Sequence, residues 1–439
     1  MKRRFKSRIE KLYSLAGNEE DARAYKEISN DANRYEHANF FLIIISNTFT
    51  KLGDALSNPK TVLAWLMGYV NAPLALISLL VPIRESGSML PQIFIASYIR
   101  TLPIRKWVWV VGSLMQFLTI AGIGVVTLFF KGATAGWLII LLLILFSLSR
   151  GLSSVASKDV MGKTIPKKRR GRLNGYSTSI SGALVILAGL YMISKSDQSL
   201  GISFYAYLIF FASFLWIIGA VVYSYIREAP GETTGRGNAF REAIARLDLL
   251  KSDKPFRNFV ISRSLLLCSA LTAPFYVVLA QDFLGKELHM LGLFILANGI
   301  ASSISAIVWG RMADRSSKNV MVKAALITSL LGVAMFIVIT WIPTVRNMSW
   351  LYPAAFFVLG IAHSGVRLGR KTYIVDMAGG NKRTDYVAVS NTVIGIVLLI
   401  TGGISAAASS ISPEGIILIL SLFGFAGALT GSRLPEVES

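Results

Sequence analysis

Between Phe204 and Ile226 the chain reads FYAYLIFFASFLWIIGAVVYSYI, a stretch without a single Asp, Glu, Lys, Arg or His. It is longer than the roughly 20 residues an α-helix needs to cross the hydrocarbon core of a bilayer. In that layer no water satisfies backbone N–H and C=O groups, so the stretch is confined to helix. GWLIILLLILFSLS (Gly136–Ser149) is a second core of this kind, extended on one side by Arg150. Composition agrees: 53% of the 439 residues are hydrophobic, only 16% are charged, and the mean hydropathy is +0.57. Soluble domains of this size carry about a quarter charged residues.

Apolar runs and the breaks between them predict twelve spans: 39–69, 73–100, 107–130, 136–160, 174–194, 201–226, 258–282, 288–312, 319–342, 350–377, 386–409 and 414–432. Spans beyond 25 residues imply tilt or projection past the lipid. Net charge is +21, but its placement argues against nucleic acid. Lys163, Lys167, Lys168, Arg169, Arg170 and Arg172 share one loop, Arg311, Arg315 and Lys318 another, and Lys382 and Arg383 a third. The alternate loops hold little beyond Lys131, Lys195, Lys286 and Arg346. This asymmetry orients helices with the basic loops inside, so both termini are expected in the cytoplasm, with the chain a multi-pass protein of the plasma (inner) membrane. The opening MKRRFKSRIEKLYSL does not lead into a long apolar run, so no cleaved signal peptide is expected.

Residues 227–257 form the one long polar break, and in it Phe240, Ile244, Leu247 and Leu250 recur at helical spacing. The segment ahead of the first span, with Phe5, Ile9, Leu12 and Leu15 on one face, reads likewise as an amphipathic surface helix. Across the break the sequence repeats itself. ALSNP (Ala55–Pro59) is matched by ALTAP (Ala270–Pro274) at an offset of 215, and Arg150 with Asp159 is matched by Arg367 with Asp376 at an offset of 217. Two six-span halves of one architecture are expected. The division is 1–37, a cytoplasmic amphipathic segment; 38–226, a six-helix bundle; 227–257, a linker with an amphipathic helix; 258–432, a second six-helix bundle; and 433–439, a tail. Asn58-Pro59 and Ala273-Pro274 are expected to kink spans one and seven at matched places.

GRMADRSSKN (Gly310–Asn319), between spans eight and nine, resembles the cytoplasmic loop signature G-x-x-x-D-R-x-G-R-R of the major facilitator superfamily. Ser317 replaces its glycine and Asn319 its last base; the matching loop of the first half, SYIRTLPIRKW, keeps Arg100 but has no acid. The resemblance implies an all-α membrane protein of twelve transmembrane helices in two pseudo-symmetric six-helix bundles. It also implies a cytoplasmic gate, in which Arg311 or Arg315, beside Asp314, reaches an acid such as Asp376, and by symmetry Asp159 meets Arg100. A competing reading makes these charges simple helix-end and positive-inside residues.

Charges at bilayer depth cost about 2.5–3.5 kcal/mol each on insertion scales, so they face a wet cavity or a partner. Lys51 and Asp54 lie in the first span, Arg84 and Glu85 in the second, Arg150 in the fourth, Arg263 in the seventh and Arg367, Arg370 and Lys371 in the tenth. In the resembled family spans one, four, seven and ten line the central cavity. Lys51, Arg84, Arg150, Arg263 and Arg367 are therefore the candidate substrate contacts, their positive surplus suiting an anionic or zwitterionic solute. Asp54 and Glu85 are the candidate proton carriers, the other reading being structural pairing of Asp54 with Lys51 and of Glu85 with Arg84 or Arg150. Arg263 reads either as a substrate contact or as a side chain snorkelling to the headgroups, and Arg370 and Lys371 as snorkelling.

Enzyme chemistry finds no support. His37, His289 and His363 are too scattered for a metal site, Cys268 is the only cysteine, and no phosphate-binding loop occurs. The expectation is a secondary active transporter without cofactor or metal, a monomer whose partners are a small solute, protons and the surrounding lipid. A lipid or lysolipid translocase of the same fold and a non-transporting membrane sensor are the alternatives.

Overall fold

The computed structural model describes residues 30–195, 201–231, 233, 247–378, 382–408 and 412–437. The candidate segment around Phe5–Leu15 lies outside the described residues, as do Phe240 and Ile244 of the linker. Among the described residues the structure is helical with no strand. The chain ascends through α1 (Asn30–Leu56) and α2 (Val62–Tyr69), and returns through α3 (Leu74–Met89) and α4 (Gln92–Arg100). It then crosses by α5 (Lys106–Phe129), α6 (Gly132–Thr164), α7 (Lys167–Ser194) and α8 (Ile202–Ser224). The second half starts with the short turn α9 (Leu249–Ser252) and a threefold helix, α10 (Lys254–Leu265), α11 (Cys268–Leu271) and α12 (Ala273–Leu284). It continues through α13 (Leu288–Ala313), α14 (Ser317–Trp341), the turn α15 (Pro343–Arg346), α16 (Leu351–Met377), α17 (Lys382–Ala407) and α18 (Pro413–Ser432).

Eleven of the twelve expected spans are long and apolar enough to cross a bilayer. The first is the exception: Asn58-Pro59 divides it into α1 and α2, and α1 carries Lys51 and Asp54. The first expected kink is a full break; in the seventh span the helix is interrupted at Leu266-Leu267 and at Thr272, just ahead of Pro274, with the backbone angles still helical. Proline lacks the N–H that would continue the helix, and in the first half the chain recovers by turning Lys60 N–H onto the Asn58 side chain, 2.8 Å away. Helix starts at the polar faces carry local caps. Asp253 accepts from Phe256 N–H, Ser316 from Asn319 N–H and Ser412 from Gly415 N–H, each satisfying an N–H the helix leaves open.

Within the first half α1 packs on α8, and α5 lies against both α6 and α8; in the second half α14 lies against α16 and α18. The bundles meet along α7 with α13 and α3 with α17. The approach of α7 to α13 is permitted by glycine. A Cβ on Gly292 would stand 2.9 Å from Gly189 O, and one on Gly189 would stand 3.0 Å from Leu296 N. Backbones this close are the usual helix contact in lipid, where small residues replace the hydrophobic drive.

The chain enters at α1 and leaves after α18 on one face, called the basic face because the loops before α7 and α14 carry its lysines and arginines. At the opposite face the two halves are sealed. Gln281 donates to Trp65 O at 2.9 Å, Lys286 to Asn71 Oδ1 at 2.7 Å, and Tyr205 OH to Lys286 O at 3.1 Å. Beneath them Trp65, wholly buried, meets Phe294, whose ring stands edge-on to Phe356 at 5.1 Å.

Candidate functional site: a cationic chamber between the bundles

The breaks in spans one and seven expose a chamber of about 380 Å³, walled on one side by Asn58, Pro59 and Lys60 and on the other by Leu266, Leu267, Ser269 and Ala270. Five cationic side chains line it, Lys60, Arg84, Arg150, Arg367 and Arg370, against two carboxylates, Asp54 and Glu85. Arg150 and Arg367, from corresponding helices α6 and α16, face the same void. Arg367 is exposed, and the hydrogen bonds that join the two halves lie at the opposite face.

These charges fall into three groups. In the first, Asp54 is held from both sides: Arg84 Nη2 reaches Oδ1 at 3.0 Å and Arg150 Nη1 binds Oδ2. Arg84 also lies 4.8 Å over the Phe146 ring, a favourable seat for a cation. In the second, Lys60 crosses to the other bundle and meets His363 Nε2 at 3.0 Å, while His363 Nδ1 lies 3.2 Å from Ser269 Oγ. Ser269 gives its own proton to Leu266 O, so its oxygen is left to accept from Nδ1–H. Nε2 is then the acceptor for the Lys60 ammonium, which fixes a neutral imidazole tautomer.

The third group is uncommitted. Arg367 and Arg370, one turn apart on α16, make no hydrogen bond or ion pair among the described residues, and neither does the Glu85 carboxylate. The charged groups around Glu85 are Lys60, Arg84, Arg370 and Arg150. The internal repeat accounts for part of this asymmetry. The offset of 215 places Ser269 where the first half has Asp54, so Arg150 has a matched acid and Arg367 has none.

Several sequence expectations are corrected. Lys51 turns away from both Asp54 and the chamber to donate to Ser177 Oγ (2.9 Å) and Thr178 Oγ1 (2.6 Å) on α7. Glu85 forms no ion pair with Arg84 or Arg150, because both are drawn to Asp54. Arg263 neither lines the chamber nor snorkels: it is 6% exposed and donates to Ser390 Oγ (2.6 Å) and Asn391 Oδ1 (2.9 Å), polar groups that α17 brings over it. Arg370, read as snorkelling, lines the chamber, whereas Lys371 is exposed outside it. Lys60 and His363 were not anticipated. The residue pattern signals the break at Asn58-Pro59 but not which way Lys60 points after it.

The basic-face gate also differs. Asp159 binds Arg105, with Lys163 Nζ at 3.3 Å, instead of Arg100, which is exposed. The chain turns at residues 101–105 and lays Arg105 back on α6, where Glu228 accepts the backbone N–H groups of Arg105 and Lys106 and pairs with Lys163 at 2.9 Å. Among the described residues Arg311, Asp314 and Arg315 are exposed and make no ion pair; Asp376 lies exposed near the end of α16. Lys318 of the same stretch binds the tail instead, with Glu436 Oε1 at 2.8 Å and Leu434 O at 3.1 Å. No group of His, Cys, Asp or Glu suited to a metal occurs among the described residues.

Two bundles of membrane helices closing on a polar chamber through broken helices define a multi-pass membrane transporter. The profile of the Major Facilitator Superfamily matches residues 43–401 and, in a second alignment, 264–437, and the chain belongs to that family. Among solved structures it is similar to a D-xylose–proton symporter, at 14% identity and a TM-score of 0.67 over 91% of this chain and 98% of that one. The inward-open xylose transporter of E. coli gives 12% identity and 0.66 over 92% and 98%. A nucleoside transporter gives 10% and 0.64 over 90% and 98%. At these identities the likeness is one of fold. No curated protein matches the chain.

Proposed function

We propose that the protein is a secondary active transporter that carries a small anionic solute across the plasma membrane by alternating access, coupled to protons. The basic face is the cytoplasmic one, since its loops hold the lysines and arginines, and both termini lie there. The unit is a monomer in its lipid, without cofactor. The observation that carries the substrate class is the pair Arg367 and Arg370: two guanidiniums aimed into the chamber with no protein acceptor. A guanidinium presents a fork of donors matched to carboxylate or phosphate oxygens. A purely cationic solute would meet five positive groups.

Coupling follows from the surroundings of Glu85. Lys60 and Arg370 are charged neighbours of Glu85, and both also line the space an incoming anion would enter. While Glu85 is ionised it competes with the solute for these cations; once protonated it releases them. An anion bound there repels the carboxylate's negative charge and so favours its protonated form. Proton and anion therefore bind each other's loaded state more tightly, as linkage requires, and travel in the same direction. Asp54, with both oxygens engaged, serves to hold Arg84 and Arg150 in place.

Movement requires one end to open as the other closes. The sealed end in this structure is the outer one, a state in which the uncommitted charges Arg311, Asp314 and Arg315 stand ready to tie the cytoplasmic ends in the alternate state. A zwitterionic solute, its cationic end on Glu85, is the second reading that the free carboxylate favours. The test is equilibrium binding of small carboxylates and phosphates to the purified chain, followed by thermal stabilisation. Binding that disappears in Arg367→Ala/Arg370→Ala supports the assignment. An anion that stabilises this double variant as strongly as the parent would remove it.

A further inference from the structure

The fixed charges of the chamber do not balance: its five cations exceed its two carboxylates by three. The surplus is also uneven. Asp54 engages Arg84 with one oxygen and Arg150 with the other, so that group closes on itself with one positive charge in excess. The other three cations, Lys60, Arg367 and Arg370, are bonded to no acid among the described residues. Lys60 has only the neutral imidazole of His363 as acceptor, and the two guanidiniums have none. They belong to one cluster. Arg367 and Arg370 lie among the charged groups around both Lys60 and His363, and Glu85 is the one acid among the charged groups around Lys60.

Glu85 offsets one of these three charges when it is ionised and none when it is protonated. Two or three positive charges therefore remain, and a single negative charge on the solute neutralises them in neither case. Like charges held together at membrane depth repel one another and call for a partner. The internal repeat shows what the chain omits: at the place of Asp54 the second half has Ser269, which itself binds His363.

Resting on the anion assignment above, we infer that the solute is a compact dianion, its charge shared between Arg367 and Arg370 on α16 and Lys60 on the facing bundle. To reach it, Lys60 exchanges a neutral nitrogen of His363 for an anionic oxygen, the stronger acceptor. A monoanion can rest on the arginines alone. A dianion also takes the lysine and so bridges the two bundles. The chamber, about 380 Å³, lies at the small end of the roughly 300–1,000 Å³ of ligand pockets. Both charges accordingly sit on a short body, either a dicarboxylate of a few carbons or a phosphate group.

The experiment uses the full chain in lipid nanodiscs at fixed ionic strength and a mildly alkaline pH. The concentration for half-maximal thermal stabilisation is measured for two matched pairs, succinate with monomethyl succinate and inorganic phosphate with dimethyl phosphate. Within each pair the members differ chiefly in charge. The expected result is that the dianion of at least one pair acts at a concentration lower by about tenfold or more than its monoanionic partner; the pair that shows it separates a carboxylate from a phosphate source. In Lys60→Gln that preference is expected to fall to about twofold or less, with the monoanion acting as on the parent, which also reports an intact site. Lys60→Arg, which keeps the charge, is expected to keep the preference. Members of both pairs acting within about twofold of each other on the parent, and on neither pair in Arg367→Ala/Arg370→Ala, overturn the dianion inference and leave the anion assignment standing. An undiminished preference in Lys60→Gln also overturns the inference. No stabilisation of the parent by any of the four overturns both.

Discussion

The chamber holds two carboxylates with opposite circumstances, and the difference decides their roles. Asp54 lies between two guanidiniums, so Asp54→Asn leaves Arg84 and Arg150 facing one another with their shared acceptor weakened. The cluster is only partly buried, Arg150 being 37% and Asp54 22% exposed, so the cost falls short of the roughly 3–5 kcal/mol of a fully buried pair, and a fall in the thermal midpoint of the purified variant is expected. Glu85 forms no bond that its replacement would break. Glu85→Gln is expected to change stability by no more than about 1 kcal/mol, yet to abolish pH-driven accumulation while sparing exchange. Equal stability losses in the two variants would contradict this division. Neither role is legible from residue type and spacing, because each acid sits beside a base in the sequence, Lys51 three residues before Asp54 and Arg84 next to Glu85. What separates them is that Arg150, from another helix, arrives at Asp54. Arg370 could have been placed from the pattern: three residues beyond Arg367, it shares that residue's face of α16.

At the level of elements, helix breaks and glycine contacts shape the chamber. Asn58-Pro59 marks its break in the sequence, and the structure opens the helix there to bring Lys60 to the void, whereas Ser269 reaches it from α11, between the interruptions at Leu266-Leu267 and Thr272. Gly292 and Gly189 let α13 and α7 touch by backbone. Gly292→Val is expected to destabilise by about 1–3 kcal/mol through overpacking and to lower transport, measured by thermal unfolding and uptake. At the basic face the loop motif is legible but its partners are not, since which acid an arginine there meets depends on how neighbouring segments fold over it. Ser316 and Lys318 receive the tail. The Lys318 hydrogen bond, helped by Ser316, holds the Glu436 carboxyl below its ordinary 4.5. A depressed carboxylate stabilises the docked tail above its ordinary value and loses that contribution as pH falls through the depressed one. Protection from hydrogen exchange at Leu434, Glu436 and Val437, taken against the intrinsic rate at each pH, is therefore expected to fall below about pH 4.5 in the parent and already at neutral pH in Glu436→Gln. Identical exchange in parent and variant at neutral pH would remove the tie.

For the whole molecule, the helical architecture, eleven of the twelve spans and the family were legible, because apolar runs are properties of the chain itself. The chamber was legible in outline: Arg150 and Arg367, found at matched positions, do share it. Lys51 and Arg263 were misplaced because their fate depends on polar groups of α7 and α17 that pattern alone does not bring beside them. The proposed alternating access requires the seal at this face to open. Cysteines at Asn71 and Lys286, whose native side chains meet at 2.7 Å, are expected to be joined by a bifunctional thiol reagent about as long as the lysine side chain, and to inhibit transport when joined. Undiminished transport after complete cross-linking would mean that this end never opens.

The most direct measurement is counterflow in proteoliposomes: vesicles loaded with unlabelled inorganic phosphate, given a trace of labelled phosphate outside and then repeated with membrane-impermeant dicarboxylates, with the parent, Glu85→Gln and Arg367→Ala/Arg370→Ala compared. The expected result is transient accumulation of label by the parent and by Glu85→Gln, and none by the double arginine variant. Accumulation by the arginine variant equal to that of the parent, or its absence from the parent for every anion tried, would contradict a chamber that carries anions on those two side chains.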